Sequence, residues 1–311
     1  MGHKHGSIVH EFTKEYKSMA AYGESKHAAK KAGTLECKIF SYSTMRAYIR
    51  AGVAFGKWCK TEYGCKTVLS CRDYVADYLT FRMERCSAYT VKLDGAALAK
   101  LYRCRSQDFG IETPARTRPG IQRSRKPRNM DKHFSETRNA ELVNFCRCTG
   151  LRRCELSALT GNQVFRRGGS WYIHIERGQG KGGRERDIPI IGTPEQIRRV
   201  VDMMRAAGSG LVFPRVHAAA DVHGYRAEYA ARLYRMNARP LEVCRRDPFY
   251  NPSRHRMERN SVYYCRNDER GRWFDKRAML IVSRALGHNR ISVVGEHYLY
   301  NLEAAPAAAV A

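Results

Sequence analysis

The residues of this chain best suited to chemistry follow one another in a fixed order along its second half. A Thr149-Gly150-Leu151-Arg152-Arg153-Cys154-Glu155-Leu156 run comes first, then Lys181 within Gly178-Gln179-Gly180-Lys181-Gly182-Gly183. After these come His223 and Arg226 as a His-x-x-Arg pair, Leu286-Gly287-His288, and Tyr298. Arg152 comes one residue after a Thr-Gly pair and heads an apolar-periodic segment, Leu156, Leu159 and then Val164, which predicts a helix start. A guanidinium fixed at such a place is a phosphate holder, because its planar fork grips two oxygens at once and keeps its charge at any accessible pH. Each residue also has a plain structural use. Lys181 suits a solvated glycine turn, His288 a helix C-terminal cap, and Tyr298 an apolar core. Their joint order is what favours chemistry.

The elements that must position these groups are set in a strongly basic chain. Its 311 residues carry 56 Lys and Arg against 30 Asp and Glu, a formal charge of +26. That excess implies a polyanionic partner, nucleic acid before a membrane surface, since neutralising phosphates releases counterions and gives sequence-independent affinity. No apolar run approaches the roughly 20 residues needed to span a bilayer, and the first 31 residues are too polar for a signal peptide. Eleven cysteines, an odd count with no Cys-x-x-Cys pair, argue against a disulfide framework and point to a reducing cytoplasm. Cys146, Cys148 and Cys154 lack zinc-ligand spacing and read as small buried hydrophobes.

Residues 1–104 predict a small helical bundle. Ser43 can cap a helix with apolar positions Met45, Ile49, Gly52, Val53, Gly56 and Cys59, which leaves Arg46, Arg50 and Lys57 on the other side as a basic face suited to a DNA backbone. Further helices are expected over 70–85 and 87–102. Between 105 and 128, Pro114, Pro119, Gly120 and Pro127 are mixed with Arg116, Arg118, Arg123, Arg125, Lys126 and Arg128. This stretch is either a basic strap along a duplex, at about 3.3 Å per residue, or a charged hinge. From 129 to 311 the pattern predicts a helix through Leu142 and Phe145, and a hairpin of 170–175 and 184–191 around the Lys181 tip. Helices follow over 194–207, from Val222 through Tyr234, and over 278–286. The fold class is therefore mainly α with a small antiparallel β-sheet, an α+β chain.

In this order, on these elements, the motifs resemble the tyrosine recombinase (phage integrase) family. The resemblance covers about residues 130–300 and extends more loosely to the helical first part, which it identifies with a DNA core-binding domain ahead of a catalytic domain. It implies that Tyr298 attacks a DNA phosphorus to form a 3′-phosphotyrosine and that Arg152 and Arg226 clamp the non-bridging oxygens. Lys181 then protonates the departing 5′-oxygen, His223 exchanges a proton with Tyr298, His288 bonds the same phosphate, and Glu155 orients the cluster. Double-stranded DNA is the implied partner and a tetramer on two DNA sites the implied assembly, with no metal, cofactor or membrane. A nucleophile, cations for a crowded phosphorane and an acid are what metal-free phosphodiester cleavage requires.

This chain departs from the family pattern in three ways. Tyr298 lies ten residues after His288, one more than is common, and Tyr300 is the next tyrosine. Arg226 and His288 are far apart, as if 237–277 were inserted, so Arg256 in Pro252-Ser253-Arg254-His255-Arg256 competes for the second arginine; it has Ser253 rather than histidine three residues before it. The residues after Tyr300 are mainly alanine, so a C-terminal helix docking on a neighbour is expected to be short or absent. The competing functions are a type IB topoisomerase-like nicking-closing enzyme and a catalytically silent DNA-binding protein on the same scaffold. If the basic strap lies on DNA, log K for duplex binding falls by about 0.9 per phosphate neutralised as log salt rises, which a fluorescence titration across ionic strengths measures. A nearly flat salt dependence contradicts that placement.

Overall fold

Serine, threonine and aspartate side chains decide where most of the long helices begin, in both of the units into which the chain divides, Met1–Ser124 and Arg125–Ala311. The computed structural model describes residues 7–116, 134–180, 184–266, 270–288, 290–299 and 302.

The first unit holds α1 (Ile8–Ser18), α2 (Lys26–Lys31), α3 (Tyr42–Tyr63), α4 (Val75–Arg85) and α5 (Ala88–Leu101). The cap of α3 is Ser41 rather than Ser43: its hydroxyl accepts from the Thr44 N–H (3.2 Å), satisfying an end donor that the helix itself leaves open. Phe12, Tyr16, Phe55, Cys59 and Leu98 are fully buried between α1, α3 and α5, and Tyr16 Oη donates to the Ala97 carbonyl (3.0 Å). The helix expected from Ser70 starts as a 3₁₀ turn, Leu69–Tyr74, before α4. Beyond Cys104 the chain adds another 3₁₀ turn, Ser106–Phe109, and Phe109 and Ile111 pack on this core, so the first unit reaches past residue 104.

The second unit begins with α6 (Ala140–Thr149), the one-turn α7 (Arg153–Leu156) and an antiparallel sheet of β1 (Val164–Arg167), β2 (Ser170–Ile175) and β3 (Arg186–Pro189). The helix expected to run on from Arg152 stops at Leu156 because Gly161 closes onto the end of α8 (Pro194–Ala207), after which Val164 starts β1. Then come α9 (Val222–Asn237), α10 (Leu241–Arg246), hairpins β4–β5 (Phe249–Asn251, Arg256–Glu258) and β6–β7 (Val262–Tyr264, Trp273–Asp275), α11 (Lys276–Ala285) and α12 (Ser292–His297). The core lies between α6, α8, α9, α11 and the inner face of the sheet, with Ile173, Ile175, Ile188, Tyr229 and Leu286 fully buried. Cys146 and Cys148 are buried there as expected, whereas Cys154 is exposed on α7, which is too short to cover it. No described helix is long and apolar enough to cross a membrane.

One buried carboxylate fixes α11. Asp275, 0% exposed, caps that helix by accepting from the Arg277 N–H (2.8 Å) and pairs with Arg239 at 2.7 Å, while its own N–H donates to Tyr234 Oη on α9 (2.9 Å). Burial alone would raise its pKa, but the Arg239 guanidinium and the donated N–H groups outweigh burial and hold it below the usual aspartate range. A carboxyl depressed in the fold stabilises above its unfolded pKa of about 4 and loses that contribution as pH falls. Asp275→Asn is therefore expected to cost about 2–4 kcal/mol in denaturant unfolding at pH 7, with a smaller gap to the parent at pH 3. An equal gap at both pH values contradicts the role of the charge.

Candidate active site

Arg226, on the second turn of α9, heads the fully buried side chains by volume, at 1% exposure. A guanidinium out of water is tolerated only where its N–H groups find acceptors. Here NH1 donates to the Gly150 carbonyl, NH2 to the Leu286 carbonyl (2.6 Å) and Nε to Tyr298 Oη (3.2 Å). Both carbonyls cap helix C-termini, Gly150 that of α6 and Leu286 that of α11, where open C=O groups carry the negative end of the helix dipole. Gly150 makes this possible: it ends α6 with φ +61°, and a Cβ there would stand 2.3 Å from the Tyr229 ring. Burial pulls the Arg226 pKa below its ordinary value.

Arg152, half-buried at the N-cap of α7, donates NH2 to the same Leu286 carbonyl (2.8 Å) and NH1 to Glu155 Oε1 (2.8 Å). Its neighbour Arg153 turns the other way and donates to the carbonyls of Val216, His217, Ala218 and Ala220, bracing a loop. Glu155 is fully buried and also accepts from the Arg152 backbone N–H (2.8 Å). A third arginine reaches it: Arg186 on β3 places NH2 2.9 Å from Glu155 Oε1 and donates Nε to the Ala285 carbonyl (2.9 Å). The Arg186 NH2 meets Glu155 as an ion pair but not at a hydrogen-bonding angle. It is the buried side-chain nitrogen, among the described residues, that lacks a hydrogen-bond acceptor. Burial would raise the Glu155 carboxyl, yet Arg186, the Arg152 N–H and the charges of Arg152 and Arg226 hold it below its ordinary value, so it stays ionised. The cluster thus has three guanidiniums against one carboxylate.

Tyr298 ends α12, 6% exposed, with its hydroxyl between Arg226 Nε and His288 Nε2 (3.1 Å). His223 stands exposed at the head of α9, with its ring 5.6 Å from the Tyr298 ring. Burial first, then the charges of Arg226, Arg152 and Arg186, push the His288 pKa down to about 3, which leaves its imidazole neutral at pH 7. It can then hydrogen-bond at Nε2 as donor or acceptor, according to its tautomer.

The structure brings together Arg152, Glu155, His223, Arg226, His288 and Tyr298 as the sequence order suggested. Lys181 lies outside the described residues. Gly180, before it, lies against Glu155, and a methyl on Gly180 would come within 2.5 Å of the carboxylate oxygen. Tyr300 also lies outside them. Arg256 is exposed on the β4–β5 hairpin and takes no part in the cluster. Arg46, Arg50 and Lys57 are exposed along α3, and Arg116 is exposed with its guanidinium 5.3 Å from the Tyr89 ring. Arg118, Arg123, Arg125, Lys126 and Arg128 are outside the described residues. Sequence reasoning missed Arg186. Its signal was a period of two: Arg186 shares a strand face with Ile188, and a cation in the inward register of a buried strand needs a buried anion.

The His288 imidazole is expected to titrate near pH 3 by histidine ring NMR, and Arg226→Ala is expected to raise that midpoint. A midpoint at the ordinary histidine value contradicts the burial and charge described for it.

Neither a family model nor a curated protein matches this sequence. Among solved structures, the XerH site-specific recombinase in a post-cleavage complex with palindromic difH substrate is similar at 13% identity, over 93% of this chain and 90% of that one, with a TM-score of 0.50. The Tn1549 transposon integrase in complex with transposon right end DNA is 12% identical over 94% of this chain and 95% of that one, at a TM-score of 0.44. The first likeness, at that identity, is one of fold: this α+β chain has the fold of the tyrosine recombinases.

Proposed function

We propose that this protein is a site-specific DNA recombinase or integrase of a phage or other mobile element, acting in the cytoplasm on double-stranded DNA. It cuts and rejoins strands through a covalent 3′-phosphotyrosine, without metal or ATP. The observation that carries the reading is the buried charge imbalance beside a tyrosine hydroxyl: Arg152, Arg186 and Arg226 against Glu155, with Tyr298 Oη on Arg226. An excess of about two positive charges in a low-dielectric pocket is matched to a phosphodiester that gains a second negative charge in its transition state.

In this mechanism the scissile phosphate enters between Arg226 and Arg152, which trade protein acceptors for non-bridging oxygens. Tyr298 Oη attacks phosphorus, the bond from phosphorus to the 5′-oxygen breaks, and the products are a 3′-phosphotyrosyl ester and a 5′-hydroxyl. The Arg226 Nε–H stabilises the charge developing on the tyrosine oxygen. His223 exchanges the tyrosine proton, His288 passes from Tyr298 to the phosphate, and Lys181 protonates the 5′-oxygen. Attack by a 5′-hydroxyl from a partner strand reverses the step and rejoins. The helical residues 1–104 and the basic 105–128 strap hold the duplex, through Arg46, Arg50 and Lys57 on one side, while residues 129–311 cut it. Four chains on two DNA sites make the working assembly.

The test is covalent trapping on nicked duplexes tiling the DNA beside the coding sequence, resolved on denaturing gels. Wild type is expected to form an adduct and Tyr298→Phe none, with duplex binding retained. Arg226→Ala is expected to cut on the order of a thousandfold more slowly in single turnover at saturating protein, and Arg256→Ala within a few-fold of wild type. An adduct from Tyr298→Phe, or Arg256→Ala as the dead variant, contradicts the assignment. No adduct from wild type on any duplex favours a silent DNA-binding protein.

A further inference from the structure

The residues between α9 and α11 form more than a surface addition. Arg272, two residues before Phe274 in the β6–β7 hairpin, donates NH2 to the Leu299 carbonyl (3.0 Å) and to the Leu302 carbonyl (2.5 Å). Leu299 follows Tyr298 directly and Leu302 comes three residues later, both beyond the end of α12, a six-residue helix. A helix this short is marginal by itself and relies on contacts from outside it to stay in place. Arg272 holds the chain immediately behind Tyr298, by charge-assisted hydrogen bonds to two of its carbonyls.

The same hairpin forms the floor of α12. A Cβ on Gly295 of α12 would lie 3.5 Å from Tyr263 of β6 and 3.7 Å from Phe274 of β7, so the helix packs directly on those two rings. Phe274 is 3% exposed, stands edge-on to Tyr234 of α9 at 5.5 Å, and carries the Arg272 guanidinium 5.3 Å from its ring. The last residue of β7 is Asp275, whose ties to Arg239, Tyr234 and the start of α11 join the hairpin to the two helices that present Arg226 and the Leu286 carbonyl. The Tyr298 segment is therefore held at two points on one rigid frame, its hydroxyl by Arg226 and His288 and its backbone by Arg272.

We infer that the β6–β7 hairpin is a clamp that keeps Tyr298 in the active site of its own chain, so that the nucleophile acts in cis, with Arg272 as its positioning residue. The inference rests on the recombinase reading. It gives the long stretch between Arg226 and His288 a task in setting where the nucleophile works, which bears on partner choice because a clamped tyrosine cannot be lent to a neighbouring chain.

Three measurements on nicked duplexes from the DNA beside the coding sequence test it. Arg272→Ala is expected to slow adduct formation on the order of a hundredfold at saturating protein, with duplex affinity unchanged, since a displacement near 1 Å suffices for such a loss. In a Tyr298→Phe background, where hydrogen peroxide at alkaline pH serves as nucleophile and its hydroperoxide anion expels the 5′-oxygen, adding Arg272→Ala is expected to leave the cleavage rate unchanged. A mixture of Arg152→Ala and Tyr298→Phe chains, one with the nucleophile and the other with the cluster, is expected to give no adduct. The clamp is overturned by wild-type adduct rates in Arg272→Ala, by an equal fall in peroxide-driven cleavage, which would make Arg272 a prop for the whole site, or by an adduct from the mixture. Should Arg272→Ala fail to fold, the mixture decides alone, because neither of its chains alters Arg272. Absence of an adduct from wild type overturns the recombinase reading, and the clamp with it.

Discussion

The second unit is organised around the burial of the Arg226 guanidinium. A charge at 1% exposure costs far more than a surface contact returns unless each N–H finds an acceptor, and its acceptors come from three separate elements. Two helices must end where they do for Gly150 and Leu286 to offer their carbonyls, and Tyr298 must arrive from a third. The Leu286 carbonyl is shared with Arg152, so the two phosphate-holding arginines of the proposed mechanism are set by the same atom. Displacing the end of α11 would disturb both at once.

Charge balance explains the rest of the pocket. Glu155 stays ionised only because Arg186 and Arg152 surround it, and it keeps those guanidiniums fixed without cancelling their charge. Burial first and then this surplus keep His288 neutral, which leaves a ring nitrogen on the Tyr298 oxygen that carries no charge of its own into an already cationic site. A pocket of this kind is preorganised for an anion, and the energy of assembling it is met by folding rather than at the moment of reaction.

Much of this was legible in the sequence, and the exceptions have physical reasons. Arg152, Glu155, His223, Arg226, His288 and Tyr298 could be read because motif order survives when lengths change. The long spacing between Arg226 and His288 left Arg256 in contention until the structure placed it on an exposed hairpin. Arg186 was hidden because a strand arginine beside Arg184 looks like surface charge, and only the pairing of β2 with β3 shows which face it takes. The early end of α7 followed from Gly161 closing on α8, a contact between residues far apart in the chain that periodicity does not encode. The same holds for Arg272, whose partners lie 27 and 30 residues later. The helix periods of the first unit could be read, but not the choice of Ser41 over Ser43 as cap, since one turn holds several candidate hydroxyls.

The central claim is that this cluster holds a phosphorus under attack by Tyr298. The most direct measurement is a crystal structure of the protein with a nicked duplex and orthovanadate, which adopts the five-coordinate geometry of the transition state. The account predicts vanadate bonded to Tyr298 Oη at one apex and the 5′-oxygen at the other, with Arg152 and Arg226 on the equatorial oxygens. Vanadate seated elsewhere, or bonded with Arg226 still turned to the Gly150 and Leu286 carbonyls and no arginine on its oxygens, would contradict it.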